Sequence, residues 1–267
     1  MRDLPWRRTR DPWAVLVSEV MLQQTQVPRV IPIWEAFMAE FPTVTACAEA
    51  SQADVVRAWA GLGYNRRAVN LHRAAVTMAR SMAGSMKGVV PRDLDALRQL
   101  PGIGPYTARA VLSFAFEQDV GVVDTNIARV LSRRAGRRLT TREAQATADA
   151  LVPPGASWEW NQRLMDLGAL VCTARAPACD RCWLRHGCRW TGEVWSTPKQ
   201  SAFAGSDRQG RGRLITALRE RDVAIDELAS VMGWPDDPAR AERVAARLVD
   251  EGIVEVRQAV MRLTISS

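Results

Sequence analysis

The sequence predicts an all-α fold over residues 1–190 and a small winged-helix-like module at residues 213–267. Apolar residues recur at helical spacing through the first region, and no part of it alternates apolar and polar residues as a half-buried strand does. After Cys188 the composition changes to a stretch rich in Gly, Ser and polar residues. With 267 residues and 47% hydrophobic content, the chain can fill one large core or two smaller ones.

Helical segments follow one another along residues 1–190 with short connections. Pro28 interrupts the first long helical pattern, and Pro42 follows the second. Ser51 is an N-cap candidate for the next segment. The later helical segments read SQADVVRAWAGLG, NRRAVNLHRAAVTMARSM, RDLDALRQLPGIGPYTARAVLSFAF, TNIARVLSRRAG, TREAQATADALV and SWEWNQRLMDLGALVC.

The C-terminal part of the chain divides into a linker and a small domain. Residues 191–212 are predicted to be a linker, because they are rich in Gly, Ser and polar residues. Three short helical patterns follow, and IVEVRQAVMRLTI then predicts two strands around Arg257 and Gln258. Three helices and a β-hairpin are typical of a winged-helix-like module.

The charge balance favours a polyanionic partner. The chain carries 36 Lys and Arg against 29 Asp and Glu, a net charge of +7. Most of the basic residues are Arg, which suits bidentate contacts with phosphate. No apolar run approaches the roughly 20 residues of a membrane span, and the N-terminus lacks the apolar core of a signal peptide. We therefore expect a soluble protein of the cytoplasm.

Four of the five cysteines lie in one short segment. Cys172, Cys179, Cys182 and Cys188 have the spacing C-x6-C-x2-C-x5-C. Disulfides are rare in a reducing compartment and do not need such clustering, whereas a metal centre does. Zinc sites usually contain two short pairs, and here only Cys179 and Cys182 form one. The pattern favours a 4Fe-4S cluster, with zinc or free thiols as alternatives. His186 is expected to be a solvated loop residue.

The hairpin and two acidic residues are candidates for chemistry. In LPGIGPYTARAV, Gly102 and Gly104 allow a tight turn whose following helix N-terminus can hold a DNA phosphate, although an ordinary connector is the alternative. Asp124 precedes a helix, where it is also an N-cap candidate. Glu19 lies in a mostly apolar helical stretch, so it is either paired or has a raised pKa. Two carboxylates in different environments are typical of glycosidic-bond cleavage.

Several of these motifs resemble a known family. LPGIGPYTA, VVDTNIARV and the four-cysteine loop resemble the two-lobed helix-hairpin-helix DNA glycosylases with a 4Fe-4S cluster, over residues 4–190. SEVMLQQTQV, GLGY and NQRLMDLGALVC are similar to the MutY branch, the adenine DNA glycosylases. Endonuclease III-like members have a Lys where this chain has Tyr106, and they lack an acid at Glu19. Thymine-mismatch glycosylases resemble the chain at both residues but lack MLQQT.

The resemblance implies base excision repair by a monofunctional enzyme. The substrate would be adenine opposite 8-oxoguanine or guanine in double-stranded DNA. Glu19 would protonate adenine N7 and then help to activate water. Asp124 would stabilise the oxocarbenium-like sugar, and Tyr106 would hold the two carboxylates in place. Without the hairpin Lys there is no evident nucleophile for strand cleavage.

The resemblance also implies residues that contact the opened duplex. Gln24 and Tyr64 match residues that wedge beside the oxidised guanine, and Gln23 is expected near the flipped adenine. The cluster itself is expected to do no hydrolysis. Its loop would present its arginines to phosphates, and these are Arg175, Arg181 and Arg185. A monomer that associates with the nucleoid is expected.

The chain departs from the MutY pattern at three places. Only about 75 residues follow the cluster motif, so a C-terminal Nudix-like domain is not expected. Asn65 replaces the second Tyr of the usual GLGYY. The helix that usually precedes LPWR is missing from the sequence, and the two explanations are a misassigned start codon and an absent helix. Two alternatives stay open. One is a glycosylase for thymine or uracil opposite guanine, and the other is a non-catalytic iron–sulfur DNA-binding protein, which would not need both Glu19 and Asp124.

Overall fold

The protein is mostly helical in the computed structural model, which describes residues 1–80, 88–193 and 202–265. This confirms the predicted helical class. The α-helices of the described residues are α1 Pro12–Leu22, α2 Val27–Glu40, α3 Val44–Glu49, α4 Gln52–Ala58, α5 Arg66–Arg80, α6 Leu94–Gln99, α7 Pro105–Phe114, α8 Thr125–Ala135, α9 Thr141–Leu151, α10 Ser157–Asp166, α11 Asp207–Glu220, α12 Leu228–Met232 and α13 Pro238–Asp250.

A side-chain cap and a proline explain where two of the helices begin. Ser51 accepts a hydrogen bond from the Asp54 amide and begins α4, as the sequence predicts. Pro28 stands in the first turn of α2, where its missing N–H is not needed, and so marks a helix start rather than an interior break.

Strands occur, within the described residues, only after Arg221. They are β1 Val223–Ala224, β2 Val254–Arg257 and β3 Val260–Leu263. They form an antiparallel sheet in the order β1-β3-β2, with Met261 opposite both Val256 and Val223. The C-terminal residues thus contain three helices and a small sheet, and their membership of the winged-helix-like class stays a prediction. Strand β1 was not expected, because two residues are too few to show alternation.

Helix α11 begins earlier than the sequence predicts. Ser206 caps it, and Asp207 is its first residue, so the end of the predicted linker 191–212 is helical. Gly210 counted as a linker signal, yet it is buried in α11, where a Cβ atom would lie 2.2 Å from the Trp234 ring. This glycine permits close packing rather than a flexible connection. Residues 194–201 of the predicted linker lie outside the described residues.

The chain divides into two compact units. The first contains Met1–Glu19, Pro91–Gln99 and Ile103–Pro198. The second contains Val20–Val90, Leu100–Gly102 and Lys199–Ser267, so the C-terminal helices belong to the same unit as Val20–Val90.

Each unit has its own core. In the first, Leu112, Ile127 and Leu164 are fully or almost fully buried. In the second, the rings of Phe37 and Trp59 meet edge to face, with centroids 6.0 Å apart.

The C-terminal module of the second unit is fastened by hydrogen bonds to residues of its N-terminal half. The buried Gln52 side chain donates to the Gly252 carbonyl at 2.7 Å. Arg219 donates to the Val56 carbonyl at 3.1 Å.

Among the described residues, no helix has the length and apolar character needed to cross a membrane.

Candidate active site and nucleic-acid interface

Glu19 is a buried carboxylic acid in the first unit. It lies on α1 and is only 4% exposed. Burial raises its pKa to about 7. A hydrogen bond from Tyr106 lowers it, the Asp124 charge raises it, and the Arg7 charge lowers it. Glu19 Oε2 is buried and has no hydrogen-bond partner among the described residues. One oxygen of a protonatable acid is thus left for an outside ligand.

Tyr106 is the hydrogen-bond partner of Glu19. It is the second residue of α7, directly after the hairpin turn. Burial, followed by the charges of Glu19 and Asp124, raises the pKa of Tyr106 well above its usual value. The phenol therefore stays protonated and donates to the carboxylate.

Asp124 is both an N-cap and a neighbour of Glu19. Its Oδ1 accepts from the Ile127 amide at 2.6 Å and caps α8. Its Oδ2 accepts from Asn126 Nδ2 at 2.8 Å. The two interpretations of this residue from the sequence are therefore compatible. The structure brings Glu19, Tyr106 and Asp124 together in one unit.

Sequence reasoning missed the polar chain behind Asp124. Arg129 Nη2 donates to Asn126 Oδ1 at 2.9 Å, and Arg129 Nε donates to the Cys172 carbonyl at 2.9 Å. Asn126 thus joins the carboxylate of Asp124 to the start of the cysteine loop. Polar residues are common two positions after a helix cap, so the sequence alone did not identify Asn126 as part of the site.

A buried ion pair was also missed. Arg7 Nη2 lies 2.9 Å from Asp166 Oδ1, and Arg2 Nε lies 2.7 Å from the same oxygen. Burial alone would raise the pKa of Asp166, but the hydrogen bonds from Arg7 and Arg2 lower it to about 2. Asp166 stands within the apolar stretch LMDLGALV, which is the same signal that marked Glu19.

The two hairpin glycines have different reasons to be glycine. Gly102 has φ +77°, and a Cβ atom there would lie 2.7 Å from the Cβ of Asn70. Gly104 caps α7 with φ −88° and has open space around it. Gly102 is required by the fold, whereas Gly104 leaves the exposed first turn of α7 accessible. A helix N-terminus of this kind can bind an anion.

The predicted duplex-contacting residues meet around one cavity of the second unit. Gln23, Gln24 and Tyr64 line a cavity of about 300 Å³. Gln24 has φ +56° and Tyr64 has φ +47°, and Tyr64 is 46% exposed. A non-glycine residue in this region costs about 1–3 kcal/mol and is concentrated at functional sites.

Arg67 fixes both strained turns. This buried side chain donates from Nη1 to the carbonyls of Met21 at 2.8 Å and Gln23 at 2.5 Å. Its Nη2 donates to the Gly63 carbonyl at 3.1 Å. Burial lowers the pKa of Arg67 to about 10, so the side chain remains charged at neutral pH. One guanidinium therefore positions the segments that carry Gln24 and Tyr64. The sequence showed only an Arg-rich helix here.

The four clustered cysteines line one largely apolar cavity of the first unit. Among the described residues, no group of three or more His, Cys, Asp or Glu side chains is arranged to hold a metal ion. Burial raises the pKa of Cys182, a backbone hydrogen bond from Leu184 lowers it, and the charges of Cys172, Cys188 and Cys179 raise it. The apolar walls and the Arg133 Nη1 contact to Cys172 Sγ at 3.3 Å fit an iron–sulfur cluster. His186 is exposed and does not line this cavity.

Comparisons with known proteins agree with this geometry. A family model described as HhH-GPD superfamily base excision DNA repair protein matches residues 17–154. An adenine DNA glycosylase of Mycolicibacterium smegmatis is 44% identical over 263 residues, which cover 95% of this chain and 88% of that protein.

Two solved structures are also similar. A thermostable thymine-DNA glycosylase has a TM-score of 0.66 and 31% identity over 71% of this chain and 88% of that chain. Endonuclease III in a non-covalent DNA complex has a TM-score of 0.60 and 26% identity over 67% of this chain and 83% of that chain.

Proposed function

Since the chain belongs to the HhH-GPD superfamily of base excision DNA repair proteins and is a MutY-type DNA N-glycosylase, we propose that it excises adenine mispaired with 8-oxoguanine or guanine. Identity to the adenine-specific relative is 44%, against 31% to the thymine-DNA glycosylase. The observation that carries the proposal is Glu19, a buried acid with a pKa of about 7 and an unpartnered oxygen beside Tyr106 and Asp124.

Glu19 supplies the proton in the proposed reaction. Adenine leaves poorly as an anion, and protonation at N7 makes it a neutral leaving group. An acid whose pKa lies near 7 is still substantially protonated at neutral pH and readily transfers its proton. Tyr106 donates a hydrogen bond to the Glu19 carboxyl group, whose Oε2 has no hydrogen-bond partner among the described residues. We therefore assign Oε2 as the oxygen that would face adenine.

Asp124 stabilises the sugar in the proposed reaction. When the C1′–N9 bond breaks, its electron pair leaves with adenine and the sugar becomes an oxocarbenium ion. The Asp124 carboxylate offsets that positive charge while Asn126 and the Ile127 amide hold it in place. Water then adds to C1′, and the ionised Glu19 accepts its proton, which restores the acid. The products are adenine and an abasic site.

The enzyme is proposed to be monofunctional. Strand cleavage through a Schiff base needs an amine nucleophile, and Tyr106 stands at the hairpin position where endonuclease III-like members have Lys. The abasic strand should therefore remain intact until alkali or another enzyme cleaves it.

The cavity of Gln23, Gln24 and Tyr64 is proposed to contact the opened duplex. Flipping adenine out of the stack costs a few kcal/mol, which side chains wedged into the gap partly offset. Tyr64 is exposed and held in a strained turn, so it is already positioned for such insertion. Gln23 is assigned to the flipped adenine, and Gln24 with Tyr64 to the opposite base.

We assign Cys172, Cys179, Cys182 and Cys188 as ligands of a 4Fe-4S cluster, with a structural rather than hydrolytic role. The exposed Arg175, Arg181 and Arg185 of the same loop would then face phosphates. The purified protein should contain equimolar iron and acid-labile sulfide, and Cys182→Ser should lose both. Zinc without sulfide would refute the assignment.

Single-turnover cleavage of four duplexes tests the function. Adenine is placed opposite 8-oxoguanine, guanine or cytosine, and thymine is placed opposite guanine. We expect fast adenine release opposite 8-oxoguanine, slower release opposite guanine, and no nick before alkali treatment. Faster release of thymine would support the mismatch alternative, and no release from any duplex would support the non-catalytic one. Gel filtration with light scattering checks the proposed monomer.

A further inference from the structure

The segment that follows the last clustered cysteine packs against the C-terminal end of α8. The Arg189 amide donates to the Arg134 carbonyl at 3.3 Å. Gly136 ends α8 with φ +70°, and a Cβ atom there would lie 2.9 Å from both the Cβ and the carbonyl oxygen of Arg189. The absence of a side chain at Gly136 therefore lets the backbone after Cys188 approach α8 closely. This approach determines where the next residue, Trp190, lies.

Trp190 is held in place by two contacts. The guanidinium carbon of Arg133 lies 4.4 Å from the centroid of the Trp190 ring, which is a cation–π contact. Trp190 Nε1 donates to the Glu193 carbonyl at 2.9 Å. The ring also lines the cavity of the four clustered cysteines. Trp190 is therefore a fixed wall of the candidate cluster site.

Arg133 contacts Trp190 and both outer cysteines. This residue of α8 is only 3% exposed. Its Nη1 lies 3.3 Å from Cys172 Sγ, and its carbonyl oxygen lies 3.6 Å from Cys188 Sγ. Its Nη2 donates to the Ala174 carbonyl at 2.9 Å. Removing the Trp190 ring would therefore remove a contact of the buried guanidinium that also contacts Cys172.

The cysteines differ in their access to solvent. Cys172 and Cys182 are partly buried, whereas Cys179 and Cys188 are exposed. The apolar shell around an iron–sulfur cluster controls the access of solvent and with it the redox properties of the cluster. Trp190 is the second residue after the exposed Cys188, and it adds a large apolar ring to the cavity on that side.

We propose that Trp190 is an aromatic cover that shields the Cys188 side of the 4Fe-4S cluster from water and dissolved oxidants. The inference rests on the proposed cluster, and it concerns retention of the cluster rather than base release. Trp183 gives a contrast within the same loop. It directly follows Cys182 but is 55% exposed and does not line the cavity. The position of the ring in the cavity, rather than the presence of Trp in the loop, should therefore determine protection.

The test follows cluster loss from the full-chain holoprotein after hydrogen peroxide is added. The parent protein is compared with Trp190→Leu, which removes the aromatic ring, and with Trp190→Phe, which keeps an aromatic ring but loses the Nε1 donor. Trp183→Leu is the matched control. The visible absorbance of the cluster and the iron released to a chelator are recorded over time. Iron content, sulfide content and thermal unfolding are measured before the peroxide is added.

The expected rates follow from transient opening of the segment around Trp190. Loss of the cation–π contact raises the open population, so Trp190→Leu should lose its cluster about fivefold faster than the parent protein, which corresponds to about 1 kcal/mol. Trp190→Phe should stay within about twofold of the parent rate, because the ring is retained. Trp183→Leu should keep the parent rate. Trp190→Leu isolated with less iron than Trp183→Leu would also support the inference.

Three outcomes distinguish the inference from the assignments on which it rests. Equal rates for Trp190→Leu and the parent protein, or equal acceleration by Trp190→Leu and Trp183→Leu, would overturn the inference alone. A parent protein without iron and sulfide would overturn both the cluster assignment and the inference. A parent protein that releases no adenine, in which Trp190→Leu still loses the cluster faster, would refute the proposed function and leave the aromatic cover in place.

Discussion

Replacing Glu19 with Gln should stabilise the protein above neutral pH. The unfolded chain loses the Glu19 proton near pH 4.5, whereas the folded protein holds it until about pH 7. Between these values the folded state binds more protons, so the free energy of unfolding falls as pH rises. Above pH 7 the carboxylate is ionised while buried, and the folded protein is destabilised by the full desolvation penalty of that charge. Gln has no proton to lose and avoids it.

The size of the effect follows from the pKa shift. A shift from 4.5 to about 7 corresponds to about 3 kcal/mol, since each unit is worth about 1.4 kcal/mol. Most of that change falls between about pH 5 and pH 8. A penalty of this size is a large fraction of the stability of a typical domain. In the proposed function, this desolvation penalty accompanies the raised pKa that Glu19 needs as a general acid.

Urea unfolding followed by tryptophan fluorescence at several pH values measures this difference. The gap between Glu19→Gln and the parent protein should widen from acidic to alkaline pH by the amount given above. Glu40→Gln is the matched control, because Glu40 is exposed at the end of α2 and its side chain is hydrated in both the folded and the unfolded protein. Parallel curves for the parent protein and Glu19→Gln would refute the buried, protonated acid.

Four further substitutions test the geometry of the site. Tyr106→Phe removes a hydrogen bond that lowers the pKa of Glu19, so the alkaline limb of the pH–rate profile should move to higher pH while the maximal rate falls. An alkaline limb at the same pH as in the parent protein would contradict the hydrogen bond between Tyr106 and Glu19. Asp124→Asn keeps an N-cap oxygen but loses the charge, so the free energy of unfolding should change by less than about 1 kcal/mol. The rate of single-turnover adenine release should fall at least about 100-fold. A small loss of rate would show that the Asp124 charge does not contribute to catalysis. Gly102→Ala should destabilise the fold by about 1 kcal/mol or more, since φ is +77° and the new Cβ atom would clash with Asn70. Gly104→Ala should fold normally and weaken duplex binding, because the space around Gly104 is open. Equal effects of the two variants in denaturation and binding assays would contradict the different roles of the two glycines.

The local features of the fold were predictable from the sequence. Ser51 and Asp124 could be predicted as helix starts, because an N-cap depends only on one side chain and the backbone amides of the next three residues. Glu19 was identified because a charged residue in an apolar helical stretch needs an explanation. The resemblance to a known family then suggested its neighbours, since no spacing in the sequence brings Glu19 beside Tyr106 and Asp124.

Long-range contacts were not predictable. Arg7 and Asp166 are 159 positions apart, and Arg219 and Asn65 are 154 positions apart. Nothing in the local pattern of either partner names the other. Gly210 misled the linker prediction for the same reason, because its role depends on the distant ring of Trp234.

The pH dependence of single-turnover adenine release tests the central claim most directly. The duplex carries adenine opposite 8-oxoguanine, and protein is in excess. If Glu19 is the general acid, the rate should fall as pH rises through about 7, and Glu19→Gln should bind the duplex with little loss of affinity but release no adenine. A rate that stays constant to pH 9, or adenine release by Glu19→Gln, would contradict the account.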